Sequence, residues 1–197
     1  MLSGRRLDLL DPDPADIDLG DMAHGLARVA RWNGQTHGAH AFSVAQHAVL
    51  VTDIMLLDAP DLSADDELAA LLHDAPEYVV GDLISPFKAA IGHDYRTIEH
   101  RLLAAIHQRF GLSIAAGSTL ARNIKAADTC AAYCEAVAVA GFSVSEADAI
   151  FGCPDGVARV QNAVAATLEP WSTHVAQEVF TDRCRRALDK SEGAQAP

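Results

Sequence analysis

Apolar residues recur along most of the chain at the three- and four-residue spacing that is typical of amphipathic helices. The clearest stripe contains Val44, Val51 and Ile54, and Gly111 and Gly141 end two of the later stripes. No stretch alternates convincingly between apolar and polar residues, as a half-buried strand would. The pattern therefore predicts a single all-α domain. Its longer helices are predicted over residues 19–29, 43–57, 94–110, 121–140 and 170–188.

The segment from residue 68 to residue 82 combines the pattern of a buried helix with ionisable side chains. Its apolar run ends at His73 and Asp74, and Glu77 follows within one helical turn. An imidazole and a carboxylate are costly to desolvate unless a metal ion or a charged partner compensates them. We therefore interpret this segment as a helix at the centre of an active site, in which Pro76 would kink the chain.

Turn and cap residues divide the rest of the chain. Ser63 with Asp66 is typical of a capping box that opens a helix, whereas Ser85-Pro86 should interrupt one. Residues 145–158 are ambiguous, because glycines and a proline interrupt the helical pattern there. The predicted organisation is an N-terminal arm at residues 1–18, one helical domain at residues 19–190 and a polar tail at residues 191–197.

Composition narrows the class of protein. A chain of 197 residues suffices for one domain, and its 15 basic and 27 acidic residues give a net charge of −12. This charge argues against binding extended nucleic acid, which needs a basic surface. Neither a secretory leader nor an apolar run of about 18 residues is evident, so we expect a cytoplasmic protein without a membrane span. Cys130 and Cys134 belong to no CxxC motif and are expected in the core.

Two histidines and two aspartates lie at or near predicted helices and form a candidate metal site. They are His47, His73, Asp74 and Asp128. Imidazole and carboxylate donors without a thiolate suit one divalent ion of Mn, Fe, Co, Ni or Zn, and four ligands leave positions for water and substrate. Two simpler interpretations stay open. His47 could be a satisfied core histidine, and Asp128 could pair with Lys125 on its own helix.

The order of these residues along the chain resembles that of the HD-domain metal-dependent phosphohydrolases, an all-helical superfamily in which the four equivalents of these residues bind the metal. The resemblance is closer to the bacterial 5′-deoxynucleotidases, which remove phosphate from deoxynucleoside 5′-monophosphates. It implies a helical HD-domain bundle with one metal ion bound by His47, His73, Asp74 and Asp128. The stretches that carry it are Arg31-Trp32, His73-Asp74-Ala75-Pro76-Glu77, Gly81-Asp82-Leu83-Ile84-Ser85-Pro86-Phe87-Lys88 and Lys125-Ala126-Ala127-Asp128.

The resemblance also implies roles for five further residues. Glu77 would handle the proton of a metal-activated water, and Asp82 would meet the 3′-hydroxyl of the sugar. Arg31 would contact the phosphate, Trp32 would crowd the 2′ position and so disfavour ribonucleotides, and Lys88 could add a second cation. From the residues alone, Arg31 and Lys88 also fit exposed surface charges, Trp32 fits a core aromatic, and the two carboxylates fit solvated helix ends.

The sequence departs from the deoxynucleotidase pattern beside the first ligand. Gln46 precedes His47 where a glutamate is expected, Ala48 stands where a serine is expected, and the N-terminal arm is longer. The exact substrate therefore stays open, with deoxynucleoside triphosphates and cyclic phosphodiesters as alternatives to monophosphates. A different class of function, a non-catalytic nucleotide-sensing or oligomerisation module with a structural metal, also stays open. The resemblance further implies a homodimer.

Overall fold

The computed structural model describes residues 1–195, and the last two residues of the predicted tail, Ala196 and Pro197, lie outside them. The described residues form eleven α-helices and two 3-10 turns without a β-sheet, which confirms the all-α fold class. The 3-10 turns are Pro14–Asp16 and Arg31–Gly34. The helices are α1 Leu19–Leu26, α2 Val44–Asp58, α3 Ala64–Leu71, α4 Glu77–Val80, α5 Ser85–Ile91, α6 His93–Arg109, α7 Thr119–Ala138, α8 Val144–Phe151, α9 Val157–Ala163, α10 Ala165–Leu168 and α11 Thr173–Gln195.

Serine N-caps begin four of these helices. Ser43, Ser63, Ser118 and Ser143 each accept a hydrogen bond from the backbone N–H three residues on, which satisfies one of the free donors at a helix N-terminus. The predicted cap at Ser63 is confirmed, although the fully reciprocal capping box forms at Ser143. The caps explain why the starts of α2, α3, α7 and α8 follow from local sequence.

Helix α2 is the centre of the core. Its residues from Val44 to Thr52 are all buried, and α3, α7 and α11 pack around it. A helix that is buried on most sides needs apolar residues all round rather than on one stripe. His47 and Gln46 are fully buried exceptions on this helix, so each requires polar partners.

The prediction of one kinked helix over residues 68–82 is wrong. Helix α3 ends at Leu71, a turn carries His73 and Asp74, and the short helix α4 begins at Glu77. Pro76 explains the break, because proline has no backbone N–H to donate to the carbonyl group four residues earlier, as a continuous helix would require. The two ionisable residues therefore project from a turn, and not from a helix face shared with Glu77.

Two other expectations need correction, and the structure resolves one region that the sequence left ambiguous. Ser85 and Pro86 begin helix α5 instead of breaking one, because proline fits the first helical turn, where its missing N–H has no partner to lose. The ambiguous region resolves into α8 and then α9, which begins beyond residue 156. Helix α11 continues through Gln195, so the described part of the predicted tail is helical.

The N-terminal arm packs on α6, and α1 packs on α4, the helix that begins at Glu77. The guanidinium groups of Arg101 and Arg109 on α6 donate to the arm, to the carbonyls of Leu10 (3.1 Å) and Ile17 (3.0 Å). Helix α1 approaches α4 so closely that a Cβ at Gly25 would lie 2.9 Å from the carbonyl oxygen of the facing residue of α4. Among residues 1–195, no helix is both long enough and apolar enough to cross a membrane.

Candidate metal centre

Three separate elements bring the four predicted ligands together. His47 comes from the first turn of α2, His73 and Asp74 come from the turn after α3, and Asp128 comes from the middle of α7. One ligand atom from each residue lies within 4.8 Å of all the others. This cluster could hold a metal ion, which confirms the coarser part of the prediction.

Backbone and side-chain acceptors orient both imidazoles through Nδ1. The ring of His73 bonds the carbonyl oxygen of Ala70 at 2.8 Å, so its Nδ1 carries the proton. The ring of His47 bonds a carboxylate oxygen of Glu135 at 2.5 Å in the same way. The two Nε2 atoms are buried and lack hydrogen-bond partners, and they face carboxylates of the cluster. Once deprotonated, Nε2 atoms of rings that are held through Nδ1 in this way would be available to a metal ion.

The carboxylates complete the donor set. Asp128 places Oδ1 3.2 Å from His47 Nε2, and Asp74 places Oδ2 3.2 Å from His73 Nε2. Burial would raise the pKa of Asp74, but the adjacent imidazoles more than offset it and lower that pKa. Lys125 does pair with Asp128, through Oδ2 at 2.8 Å, as the simpler interpretation expected. The ion pair and the cluster coexist because they use different oxygens of one carboxylate.

Burial and Arg31 lower the pKa of His47, but Glu135 and Asp128 outweigh them and raise it to about 9. A metal ligand must be deprotonated, so binding of a metal ion at His47 would displace a proton. Affinity for a metal at this site should therefore increase as the pH rises. The donor set fits a divalent ion, with His47, His73, Asp74 and Asp128 as its ligands.

Glu135 is a site residue that the sequence analysis missed. Its carboxylate is fully buried and accepts from Arg31 Nε and Trp32 Nε1, both at 2.9 Å, besides its contact with His47. One signal was present: Glu135 follows Asp128 by seven residues, which is two turns on the same face of α7. A charged residue in an Ala- and Cys-rich helix also required an explanation.

Arg31 and Trp32 stand at the edge of the cluster in a strained turn. Trp32 has a φ of 56°, a left-handed conformation that is unfavourable for a residue with a side chain. Its indole N–H bond to Glu135 holds this conformation. Arg31 is almost buried, and its Nη1 lies 3.9 Å from Asp82 and 4.0 Å from Asp74. The structure thus connects the predicted phosphate contact with the metal cluster through Glu135.

The two predicted catalytic carboxylates line the same cavity. Glu77 is buried, with Oε1 bonded to Lys88 Nζ at 3.0 Å and Oε2 without a partner. Burial, Asp74 and Asp82 raise the pKa of Glu77 to about 8, although Lys88 opposes the shift. A carboxyl group with a pKa near neutrality can exchange protons during a reaction. Lys88 also bonds Glu99 at 3.1 Å, so two carboxylates share this cation.

A cavity of about 450 Å³ connects these groups to solvent. Its volume lies within the range of small-molecule sites. Its lining combines charged residues with apolar residues of α7, α8 and the α4–α5 connection. The predicted residues that line it are Arg31, Trp32, Asp74, Glu77, Asp82, Lys88 and Asp128.

Comparison with known proteins finds a relative over most of the chain. An uncharacterized protein of Rhodobacter capsulatus is 59% identical over 157 residues, which cover 80% of each chain. The chain belongs to the family of this protein. The uncharacterized protein YfdR of Escherichia coli is 34% identical over 97 residues, which cover 49% of each chain. No protein-family model matches the sequence.

Gln46, which stands where the deoxynucleotidase pattern has a glutamate, has a structural role. Its amide Nε2 donates to the carbonyls of Thr167 (2.8 Å) and Glu169 (2.7 Å), and its Oε1 accepts from the Trp171 backbone at 2.9 Å. These bonds tie α2 to the connection between α10 and α11. Only an amide can both donate and accept in this arrangement, whereas a carboxylate would face two carbonyl oxygens.

Proposed function

We propose that the protein is a metal-dependent phosphohydrolase of the HD type that acts on a small nucleotide, with deoxynucleoside 5′-monophosphates as the leading candidates. One observation carries the proposal. Two aspartates of the candidate metal cluster, Asp74 and Asp128, share one cavity of about 450 Å³ with a nearly buried arginine and a buried carboxyl group whose pKa is raised. The resemblance of the sequence to HD-domain enzymes supports the reaction class.

The residues divide the work of hydrolysing a phosphate ester. A divalent ion held by His47, His73, Asp74 and Asp128 would lower the pKa of a water molecule and polarise a phosphoryl oxygen. Arg31 supplies a fixed positive charge and aims Nη1 into the cavity. Glu77 accepts a proton from the attacking water, and Asp82 orients the sugar through its 3′-hydroxyl group.

The charges that line the cavity favour one phosphate group over three. Arg31, Lys88 and Lys125 face four carboxylates there, and two of those carboxylates belong to metal ligands. Lys88 is already shared between Glu77 and Glu99, and Lys125 pairs with Asp128. Arg31 uses Nε for Glu135, while its Nη1 lies 3.9 Å or more from Asp74 and Asp82, so Nη1 is the main cationic group left for substrate. A divalent ion with one arginine can neutralise a phosphate dianion, whereas a triphosphate needs further cations.

The test is phosphate release from deoxy- and ribonucleoside mono- and triphosphates, using chelated protein resupplied with Mn²⁺, Co²⁺, Ni²⁺ or Zn²⁺. We expect metal-dependent release from deoxynucleoside monophosphates and poor release from the ribo forms. Inorganic triphosphate or a linear monoester as product would instead identify a triphosphohydrolase or a cyclic phosphodiesterase. If metal-loaded protein released no phosphate from any compound of the panel, the proposal would be refuted and a binding module favoured.

A matched pair of variants tests the role of Glu77. Glu77→Gln should lower kcat by about 10²–10⁴-fold while the metal content and the circular dichroism spectrum stay unchanged. Glu99→Gln is the control, because Glu99 bonds the same lysine but does not line the cavity. Equal activity of Glu77→Gln and wild type would exclude Glu77 as the proton acceptor.

A further inference from the structure

Part of the apolar lining of the cavity takes no part in metal binding or proton transfer. Five of its residues, Trp32, Ala132, Phe142, Ile150 and Phe151, form what we name the apolar wall. Its centre adjoins the metal cluster, because Ala132 follows Asp128 on α7 by one turn, about 6 Å along the helix. The organic group of a phosphate ester held at the cluster would therefore be within reach of this wall.

The apolar wall is built as a fixed surface. The Trp32 ring lies 5.6 Å from the Phe142 ring and 6.2 Å from the Phe151 ring, measured between centroids. These tilted and edge-to-face contacts are favourable for aromatic rings. Tyr133 on α7 donates its hydroxyl to Asp148 on α8 at 2.9 Å, which fixes α8 against α7. The wall is therefore arranged before any ligand arrives.

Ile150 exposes 61% of its surface while lining this cavity. A large aliphatic side chain on the rim of a polar site gains free energy when a ligand covers it. The side chains of the apolar wall are aromatic or aliphatic. Its one polar group, the indole N–H of Trp32, is hydrogen-bonded to Glu135. Such a surface can stack a flat ring but has few groups with which to distinguish one base from another.

We propose that the apolar wall binds the planar base of the nucleotide, so that substrates with a base are preferred over sugar phosphates and the identity of the base matters little. This inference rests on the proposed function. Stacking of a base on aromatic side chains is tolerant of base identity, because every base has a π-face. Purines, with the larger ring area, should bind at least as well as pyrimidines.

The experiment compares deoxyadenosine 5′-monophosphate with 2-deoxyribose 5-phosphate, which carries the same ester without the base. We expect kcat/KM of the metal-loaded wild type to be at least about tenfold higher for the nucleotide. Ile150→Ala should lower kcat/KM for the nucleotide by about three- to tenfold and leave kcat/KM for the sugar phosphate unchanged. Phe151→Leu, which keeps bulk but removes the ring, should act in the same way.

Val144→Ala is the matched control, because Val144 exposes 56% of its surface on the same helix without lining the cavity. It should behave as wild type with both substrates. The proposal is overturned if wild type cleaves the two substrates equally well, or if Ile150→Ala and Phe151→Leu both keep the full preference.

Calorimetry with deoxyadenosine, which has no phosphate, separates this inference from the proposed function. If no ester is hydrolysed, the proposed function fails, but deoxyadenosine binding that is weakened in Ile150→Ala and unchanged in Val144→Ala still supports the wall. Absence of deoxyadenosine binding in wild type would refute it. Comparable affinity for deoxycytidine would support the expected tolerance of base identity, and strict selection of one base would contradict it.

Discussion

Replacing Glu135 by glutamine keeps the shape of the side chain but removes the charge that three donors share. One oxygen contacts His47 Nδ1 at 2.5 Å, and the other accepts from Arg31 Nε and Trp32 Nε1 at 2.9 Å each. An amide has one accepting oxygen and one donating nitrogen, so it cannot satisfy both sides. The amide can therefore satisfy either His47, the candidate metal ligand, or Arg31 and Trp32, the proposed substrate-binding residues, but not both.

Each orientation of the amide has a specific consequence. If the amide nitrogen faces His47, that ring must accept at Nδ1, and its proton moves to Nε2, the atom needed for the metal. If the nitrogen faces Arg31 and Trp32 instead, two buried donors meet a donor and the strained turn loses its support. The first orientation should weaken binding of a metal ion at the candidate site, and the second should weaken binding of the proposed substrate.

The expected magnitude follows from the contacts. Loss of a partner that orients a metal-ligating histidine weakens metal affinity by about 10–100-fold, equivalent to about 1.4–2.8 kcal/mol. Breaking a buried charge pair lowers the free energy of unfolding by about 3–5 kcal/mol. Glu135 is fully buried and Arg31 nearly so, so solvent screening should reduce this figure little.

Metal affinity is measured by calorimetry with Zn²⁺ or Mn²⁺, and stability by urea unfolding of the metal-free protein. Glu67→Gln is the matched control: Glu67 is also buried and pairs with Arg183 at 3.3 Å, but it lies on α3 away from the cluster. The control should lose some stability and keep its metal affinity. If folded Glu135→Gln binds metal as tightly as wild type and retains its KM, the orienting role of Glu135 is wrong.

Three further changes test other parts of the structure. Burial raises the pKa of Asp21, but hydrogen bonds from the N-terminal arm outweigh burial and lower the pKa overall. The Asp21 carboxylate therefore stabilises the folded state at pH values above its unfolded pKa of about 3.9, and this stabilisation is lost as the pH falls through the folded pKa. The urea midpoint of Asp21→Asn should therefore lie below wild type at neutral pH and converge with it in acid; a constant gap would contradict this. Gly25→Ala should lower the free energy of unfolding by about 1–3 kcal/mol, because the added Cβ overpacks α1 against α4. A Cβ at Gly193 meets no atom within 4 Å, so Gly193→Ala should not lower the midpoint of thermal unfolding. Lys88→Gln removes a cation that lowers the pKa of Glu77, so the acid limb of the pH profile of kcat/KM should move to higher pH, and a shift the other way would exclude Glu77 as the base.

Local sequence predicts most of the long helices because their determinants are local. Helix α2 begins after the Ser43 cap, and α7 follows Ser118, with ends within a few residues of the apolar stripes. Local sequence does not predict the short helices as well. Helices α9 and α10, residues 157–168, have no strong periodicity of their own, so their packing against α2 and α7 decides their conformation.

Proline had opposite effects at two positions that local reasoning treated alike. Pro76 ended a helical run because it stands where an N–H was required, while Pro86 stands in the first turn of α5, where none is required. The difference depends on where the helix starts, and α4 and α5 start where tertiary packing allows. The turn that carries His73 and Asp74 exists because of the first of these prolines.

The convergence of the site could be expected from the resemblance but not from the residues themselves. Glu135 shows why: its partners Arg31 and His47 are 104 and 88 residues away in sequence, and no periodicity links a position on α7 to a turn before α2. What sequence can provide is the anomaly, a carboxylate in an Ala- and Cys-rich helix at seven residues from a candidate ligand. A buried charge must have partners, so such an anomaly predicts that basic or donor groups converge on it. The same reasoning applied to Gln46 would have predicted backbone partners for its amide, and the structure provides three.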